Sequence, residues 1–422
     1  MKGWLAVGAS AAWFTGSLVI ALPWMSGLAE AVTFPVAAVL VALVALIPGL
    51  IVSLMAATLL LDRQAPMPVG PLTAPVTVLV AAHNEADTIV ATLEAIGAQD
   101  YEGDIAVIVA SNNSADATAK LARRAGARIA GIDVQVIEVP TPGKPHALNA
   151  ALKLVNTDLV ATVDADTMLH PQALRRMVAR MTEGVAAVAA TPLAANPDTN
   201  LLTRMQAFDY SLGIASVKRF QSAYGATLVA QGAASVYDTG MVREVGGWPD
   251  MIGEDIVLTW GLLKLGDVVF EPTALAFTTV PDKLGRFMTQ RSRWARGMGE
   301  GLATVKPHTQ PRRGARLVSG LDYLVPLLDV GYAILMVGVL LAAVGIPALV
   351  GVYTLAVLPI TFAMYATIRR YNTSRVLRPL GLEPQRDPLG FALFLFGYQV
   401  LASAAALRGY AQFLAGTARV WA

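Results

Sequence analysis

The stretch Asp158-Leu159-Val160-Ala161-Thr162-Val163-Asp164-Ala165-Asp166 decides how this chain is read. Its apolar, partly β-branched run has the composition of a short buried strand. Two carboxylates, Asp164 and Asp166, emerge where that strand would end. In open α/β sheets, ligands bind outside the carboxyl ends of the strands. Paired hard oxygen ligands at such a place suit a divalent cation that carries a diphosphate. Alone the pair is weak evidence, because most short acidic pairs are solvated turn residues. Its setting gives it weight: a polar segment of roughly 220 residues, flanked on both sides by membrane-spanning sequence.

Working outward, Val76–Ala82 reads as a buried parallel strand, followed by His83-Asn84-Glu85 and a helix to about Gly97. Ile105–Ala110 is a second strand that runs into Ser111-Asn112-Asn113-Ser114, then a helix through Arg124. Val134–Val139 is a third, followed by Gly143-Lys144-Pro145 and a helix through Leu154. This alternation predicts an α/β fold, an open and mostly parallel sheet with helices on both faces. Gln231–Tyr237 looks like a further strand leading to a short helix. No glycine-rich phosphate fingerprint is present, and Gly246-Gly247 is a turn before Trp248-Pro249. A Rossmann dehydrogenase or P-loop ATPase would lack its defining element.

The composition, 55% hydrophobic and only 15% charged, is too apolar for an ordinary soluble enzyme. Trp4–Met25 and Val32–Leu61 are uncharged and long enough to cross about 30 Å of hydrocarbon. A cleaved signal peptide is the rival reading of the first run, weakened by the second run directly after it. Three more candidate spans follow the polar region, roughly Tyr323–Val344, Ile346–Ile368 and Leu389–Leu407. The alternative reading of the last is a re-entrant or interfacial segment. Asp329 within the first of these should face protein or a water-filled cavity, or else lie at the interface. Arg369, Arg370, Arg375, Arg378 and Arg386 cluster after the fourth span, which by the positive-inside rule puts the polar domain in the cytoplasm. The expected divisions are a transmembrane hairpin at 1–62, a polar domain at 63–280, a basic interfacial segment at 281–318 and a C-terminal transmembrane region at 319–422.

Cysteine is absent and histidine numbers four, which excludes disulfides and a His-rich zinc site. Lys283, Arg286, Arg291, Arg293 and Arg296 open a basic stretch beside the third span. Such a stretch suggests membrane lipid headgroups; nucleic acid is a poor partner with no companion recognition motif. Asp255, in Gly253-Glu254-Asp255, is well placed near the first turn of a helix, where a carboxylate serves as a cap. Gln290, Arg293 and Trp294 fall on one side of another helix, at offsets of three and four.

In their order and spacing, Ala82-His83-Asn84-Glu85, Asp116, Gly143-Lys144, Asp164-Ala165-Asp166, Gly253-Glu254-Asp255 and Gln290-Arg291-Ser292-Arg293-Trp294 form a recognisable series. The chain resembles the membrane-embedded family 2 glycosyltransferases, the group containing cellulose, hyaluronan and poly-N-acetylglucosamine synthases. The resemblance implies a GT-A-like domain between transmembrane helices. It implies Mg²⁺ or Mn²⁺ on Asp166, and the nucleotide-sugar donor held by Glu85, Asn112, Lys144, Asp164, Gln290 and Arg293. Asp255 would be the catalytic base, with Trp294 and Glu254 on the acceptor. Ser111 departs from the pattern, since an Asp usually ends the second strand and contacts a uracil base; Asn112 would replace part of its hydrogen bonding. The implied reaction is inverting transfer from a UDP-sugar, UDP-N-acetylglucosamine or UDP-glucose, to a growing β-linked polysaccharide, coupled to export. One-step transfer to a lipid acceptor is the enzymatic alternative, and a catalytically silent transport or assembly component is the other. The expected location is the plasma (inner) membrane. No residue indicates an oligomeric state.

Overall fold

The computed structural model describes residues 2–62, 72–343 and 352–417. Eight strands form one mixed sheet: β1 (Val76–Ala82), β2 (Ile105–Asn112), β3 (Asp133–Val139), β4 (Leu159–Val163), β5 (Thr167–Leu169), β6 (Val185–Ala194), β7 (Ala234–Asp238) and β8 (Asp267–Thr278). Their spatial order is β3-β2-β1-β4-β7-β6-β8-β5. β3, β2, β1 and β4 are mutually parallel, β7 is antiparallel to both β4 and β6, and β6 and β8 are parallel. The expected strands at 76–82 and 159–163 have those bounds; β2 runs two residues further, to Asn112, and the strand expected from Gln231 begins at Ala234.

Alternation along β1 explains the two-sided core. Leu79 packs on one face with Leu148, Tyr237, Trp248 and Trp260, while Val76, Val78 and Val80 pack on the other with Ile89, Leu93, Leu174 and Met177. Each such fully buried aliphatic side chain contributes about 1.5–3 kcal/mol. Helices Lys144–Leu152 and Glu254–Leu262 cover the first face; Ile89–Gly97 and Ala173–Val178 cover the second. β3 lies at the sheet edge, and its alternating exposed and half-buried residues reflect that place.

Among the described residues four helical segments are long and apolar enough to cross a membrane: Gly3–Ala29, Phe34–Leu61, Arg313–Gly338 and Pro388–Leu414. The segment expected to be re-entrant or spanning near residue 389 is thus a continuous helical run. Of the expected span Ile346–Ile368, residues 346–351 lie outside the described residues; the rest belongs to the helix Val352–Tyr371. Residues 63–71, at the start of the expected polar domain, lie outside the described residues. Asp329 faces protein: only 6% exposed, it accepts hydrogen bonds from Ser403 Oγ and Tyr410 Oη, both at 2.9 Å. A mixed cluster of Leu54, Phe208, Phe220, Phe287, Phe394 and Tyr398 joins the apolar helices to the polar domain.

Candidate active site

Strand order creates the crevice. β1 pairs with β2 on one side and β4 on the other, so successive crossovers change direction there and the ends of β1 and β4 flank an opening. At the β1 end, Asn84 adopts a left-handed backbone with φ of 54°, and its Oδ1 accepts the Ala115 N–H at 2.8 Å. Asp116 Oδ2 accepts the Ala86 N–H at 3.1 Å, so the loops after β1 and β2 are laced together. Glu85 accepts from Thr88 Oγ1 at 2.7 Å. Burial raises its pKa above the ordinary carboxylate value, against the Thr88 bond and with help from the charges of Asp164 and Asp116.

Asp164 and Asp166 stand at the end of β4, as expected. Burial, reinforced by Asp164 and Glu85, pushes Asp166 up to about 6. Lys144, in the first turn of its helix, donates Nζ to Asp164 Oδ1. Burial alone would lower the lysine's pKa; Asp164, Glu254 and Asp255 together raise it instead. Its ammonium therefore serves both carboxylate groups, rather than being the solvated loop charge that position 144 would otherwise suggest. Gly232 leaves room for the pair: a Cβ there would lie 2.3 Å from Lys144 Nζ and 3.0 Å from Asp164 Oδ1.

A hard divalent cation fits this end of the crevice. Burial raises the pKa of Asp166 and the charges of Asp164 and Glu85 raise it further, against Lys144, a concentration of buried carboxylates that a cation would relieve. Among the described residues no preassembled group of three ligating side chains exists. A site of one or two carboxylates completed by substrate phosphates is how Mg²⁺ is commonly held.

Ser111 and Asn112 end β2, and both side chains hydrogen-bond within the protein. Asn112 is 5% exposed; its Nδ2 donates to the Val139 and Thr141 carbonyls at 3.2 and 2.7 Å, and its Oδ1 accepts the Gly143 N–H at 2.8 Å. Its amide hydrogens are thereby committed to shaping the loop that delivers Lys144. Ser111 is buried and donates to Ser114 Oγ at 3.1 Å.

Glu254 and Asp255 open the helix Glu254–Leu262, for which Gly253 is the N-cap residue. Asp255 is therefore inside the first turn rather than at the cap, and its Oδ1 accepts the Ile256 N–H at 2.8 Å. Glu254 is 7% exposed, and burial with the neighbouring Asp255 pushes it up to about 8, against Lys144 and Arg293. Burial likewise raises Asp255, opposed by Lys144, the Ile256 N–H and Lys218. Lys218, which no sequence pattern singled out, is buried and donates to the Val229 carbonyl at 2.5 Å. Burial pulls it down to about 7, against the pull of Asp255.

The helix Leu284–Thr304 carries Gln290, Arg293 and Trp294. Arg293 reaches Glu254 with its charge, and Trp294 is 39% exposed. Gln290 Oε1 is buried with no hydrogen-bond partner among the described residues. The residue that packs on Trp294 is Arg291, whose guanidinium carbon lies 4.0 Å from the indole centroid. By sequence Arg291 belongs to the basic stretch and to the Gln290–Trp294 series, without a role of its own; its spacing of three from Trp294 is the signal that sets it apart. Glu300 Oε2 accepts the Ile252 N–H at 2.9 Å and ties this helix to the Glu254-Asp255 loop.

The family model described as "Glycosyltransferase like family 2" matches residues 74–297, just over half of the chain. A poly-beta-1,6-N-acetyl-D-glucosamine synthase of Staphylococcus aureus (strain MSSA476) is 32% identical over 231 residues, 54% of this chain and 55% of that protein. Its counterpart in Staphylococcus epidermidis is 30% identical over 232 residues, with coverage of 54% and 55%. The chain thus spans about half the length of the curated relatives it matches. The solved mannosyltransferase PcManGT of Pyrobaculum calidifontis, in complex with GDP-Man and Mn²⁺, is similar in fold with a TM-score of 0.61. That likeness covers 90% of this chain and 99% of that one, at 20% identity. The sheet, the crevice residues, the apolar helices and the extent of the family match lead to one conclusion: this chain belongs to glycosyltransferase family 2, as a membrane-associated enzyme with a GT-A-like fold.

Proposed function

We propose that the enzyme transfers a sugar, with inversion, from a nucleotide diphosphate donor to the growing end of a β-linked polysaccharide. One observation carries the reading: the Lys144 ammonium lies between Asp164, beside Asp166, and the acid pair Glu254 and Asp255. Donor and acceptor ends of one site are thereby joined. UDP-N-acetylglucosamine is the preferred donor, on the likeness to the staphylococcal synthases.

In this mechanism Asp255 accepts the proton of an acceptor hydroxyl as that oxygen forms its bond to the anomeric carbon. The bond from that carbon to the diphosphate oxygen breaks on the opposite face, which inverts the centre. Mg²⁺ or Mn²⁺ held at Asp166, when bound, would offset the charge gathering on the leaving diphosphate. Lys144 and Arg293 add fixed positive charge beside it. Asp164 orients the donor through the same carboxylate that holds Lys144. Glu85 holds the nucleoside end, Asn112 supports the loop beside it, and Gln290 offers its unpaired acceptor. Glu254, kept protonated near neutrality, donates a hydrogen bond to the acceptor, and Trp294 offers an apolar floor to its ring. The polar domain is assigned to the cytoplasmic side of the plasma membrane, on the arginines of 369–386.

Membranes or detergent-purified protein incubated with a panel of nucleotide sugars test this, with products resolved by mass. Ladders of added N-acetylglucosamine support it. A product one sugar longer, on lipid alone, replaces the polymer reading with transfer to a lipid acceptor.

A further inference from the structure

We propose that Arg291 is a positioning residue that sets the plane of Trp294 and ties it to the C-terminal membrane helix. This rests on the reading of Trp294 as the floor of the acceptor site. Phe287, Arg291 and Trp294 recur at helical offsets of four and three, forming one stripe along Leu284–Thr304. Arg291 is 7% exposed, and its guanidinium carbon lies 4.0 Å from the Trp294 centroid and 5.4 Å from that of Phe287. A cation stacked on one indole face leaves the other face to a ligand.

The guanidinium is itself anchored. Arg291 Nη2 lies 3.2 Å from Asp209 Oδ2, and that oxygen also accepts from Tyr398 Oη at 2.6 Å. Tyr398 belongs to the apolar helical segment Pro388–Leu414. Both anchors sit in π-helical turns, Asp209 at the start of Asp209–Ile214 and Tyr398 at the end of Phe394–Tyr398. Such turns bulge a helix and re-aim its side chains, and they concentrate at functional sites. Gly213 leaves room for the Asp209 carboxylate in this place, since a Cβ there would lie 2.7 Å from its Oδ1. The chain Tyr398, Asp209, Arg291, Trp294 therefore connects a membrane helix to the acceptor floor by side chains alone. A lysine could keep the ion pair, but a compact ammonium offers no flat surface to the indole.

The test compares wild type, Arg291→Lys, Tyr398→Phe and Trp294→Ala, each purified in detergent and matched in thermal stability. In the first arm, the emission and acrylamide quenching of Trp294 are isolated by subtracting a Trp294→Phe counterpart of each protein. In the second, KM for a β-1,6-linked N-acetylglucosamine tetramer is measured with UDP-N-acetylglucosamine as donor. The expected result is altered Trp294 emission and quenching in Arg291→Lys and Tyr398→Phe. Acceptor KM then rises roughly three- to thirtyfold, the range of a lost cation–π contact of up to about 2 kcal/mol. Donor KM and kcat change less than about twofold. Unchanged Trp294 emission and quenching in both variants overturns the inference, whether or not the tetramer is used. Unchanged acceptor KM in Trp294→Ala instead overturns the reading of Trp294 as the acceptor floor.

Discussion

Gly253 and Gly297 meet backbone to backbone. A Cβ on Gly253 would lie 2.5 Å from the Gly297 carbonyl oxygen, and one on Gly297 would lie 2.9 Å from the Gly253 Cα. Gly253 caps the helix that begins with Glu254 and Asp255, and Gly297 lies one turn beyond Trp294. This contact holds the acid pair against the helix that carries Arg293 and Trp294.

Alanine at either glycine should therefore damage both fold and activity. Because the obstructing atoms are backbone, they cannot yield by a rotamer change, and overpacking of this kind costs about 1–3 kcal/mol. The expected outcome is a lower Tm for Gly253→Ala and for Gly297→Ala. Transfer should fall at least about tenfold beyond what the loss of folded protein explains, since small displacements of reacting groups are costly. Full activity in either variant would remove the contact from the account of the site.

Gly232→Ala should behave differently. Its new Cβ would meet the flexible end of Lys144, 2.3 Å away, so the lysine can move aside at little cost in stability. Moving it breaks the Lys144–Asp164 pair. A modestly lower Tm with donor affinity weakened about tenfold or more is expected, one broken charge-assisted contact being worth about 1.5–3 kcal/mol. Calorimetric titration of the donor checks it.

The pH profile follows from the acid pair. A general base must be ionised, and burial raises the pKa of Asp255, so kcat/KM should fall towards acid with its limb above the ordinary carboxylate range. Lys144 opposes that shift, so Lys144→Met should move the limb to still higher pH. Glu254, at about 8, carries its proton near neutrality and loses it above that pH. Glu254→Gln keeps a neutral donor at all pH and should abolish a decline centred near pH 8. Asp255→Asn should lower kcat by about 10²–10⁴ while donor binding persists.

Chelation provides a separate check on the β4 end of the crevice. EDTA should abolish transfer by wild type, and added Mn²⁺ or Mg²⁺ should restore it. In Asp166→Ala, donor affinity measured by calorimetry should lose its dependence on added metal. An Asp166→Ala protein that still binds donor more tightly with Mn²⁺ would move the metal site elsewhere.

Much of this molecule was legible from local pattern. β1 and β4 read as strands because their apolar, β-branched runs are buried on both faces, and burial leaves its mark on each segment independently. The long uncharged runs read as spans because hydrocarbon tolerates no other composition. Asp164, Asp166, Asp255 and Trp294 could be singled out because their motifs keep a fixed order along the chain. Local pattern is silent on what meets across the fold. That β4 lies beside β1, opening the crevice, depends on strand order. That Asn112 spends its amide on Gly143 and two carbonyls depends on a loop more than twenty-five residues away in sequence. Arg291 looked like one charge in a basic run until Asp209 and Tyr398, from two other helices, closed around it. The close approach of Gly253 and Gly297 was likewise invisible, because a glycine's neighbours are set by packing and not by its own sequence. Residue types and their order determined which chemistry this chain could carry; only tertiary structure decided which charges share a site, since electrostatics and steric contact depend on distances through space.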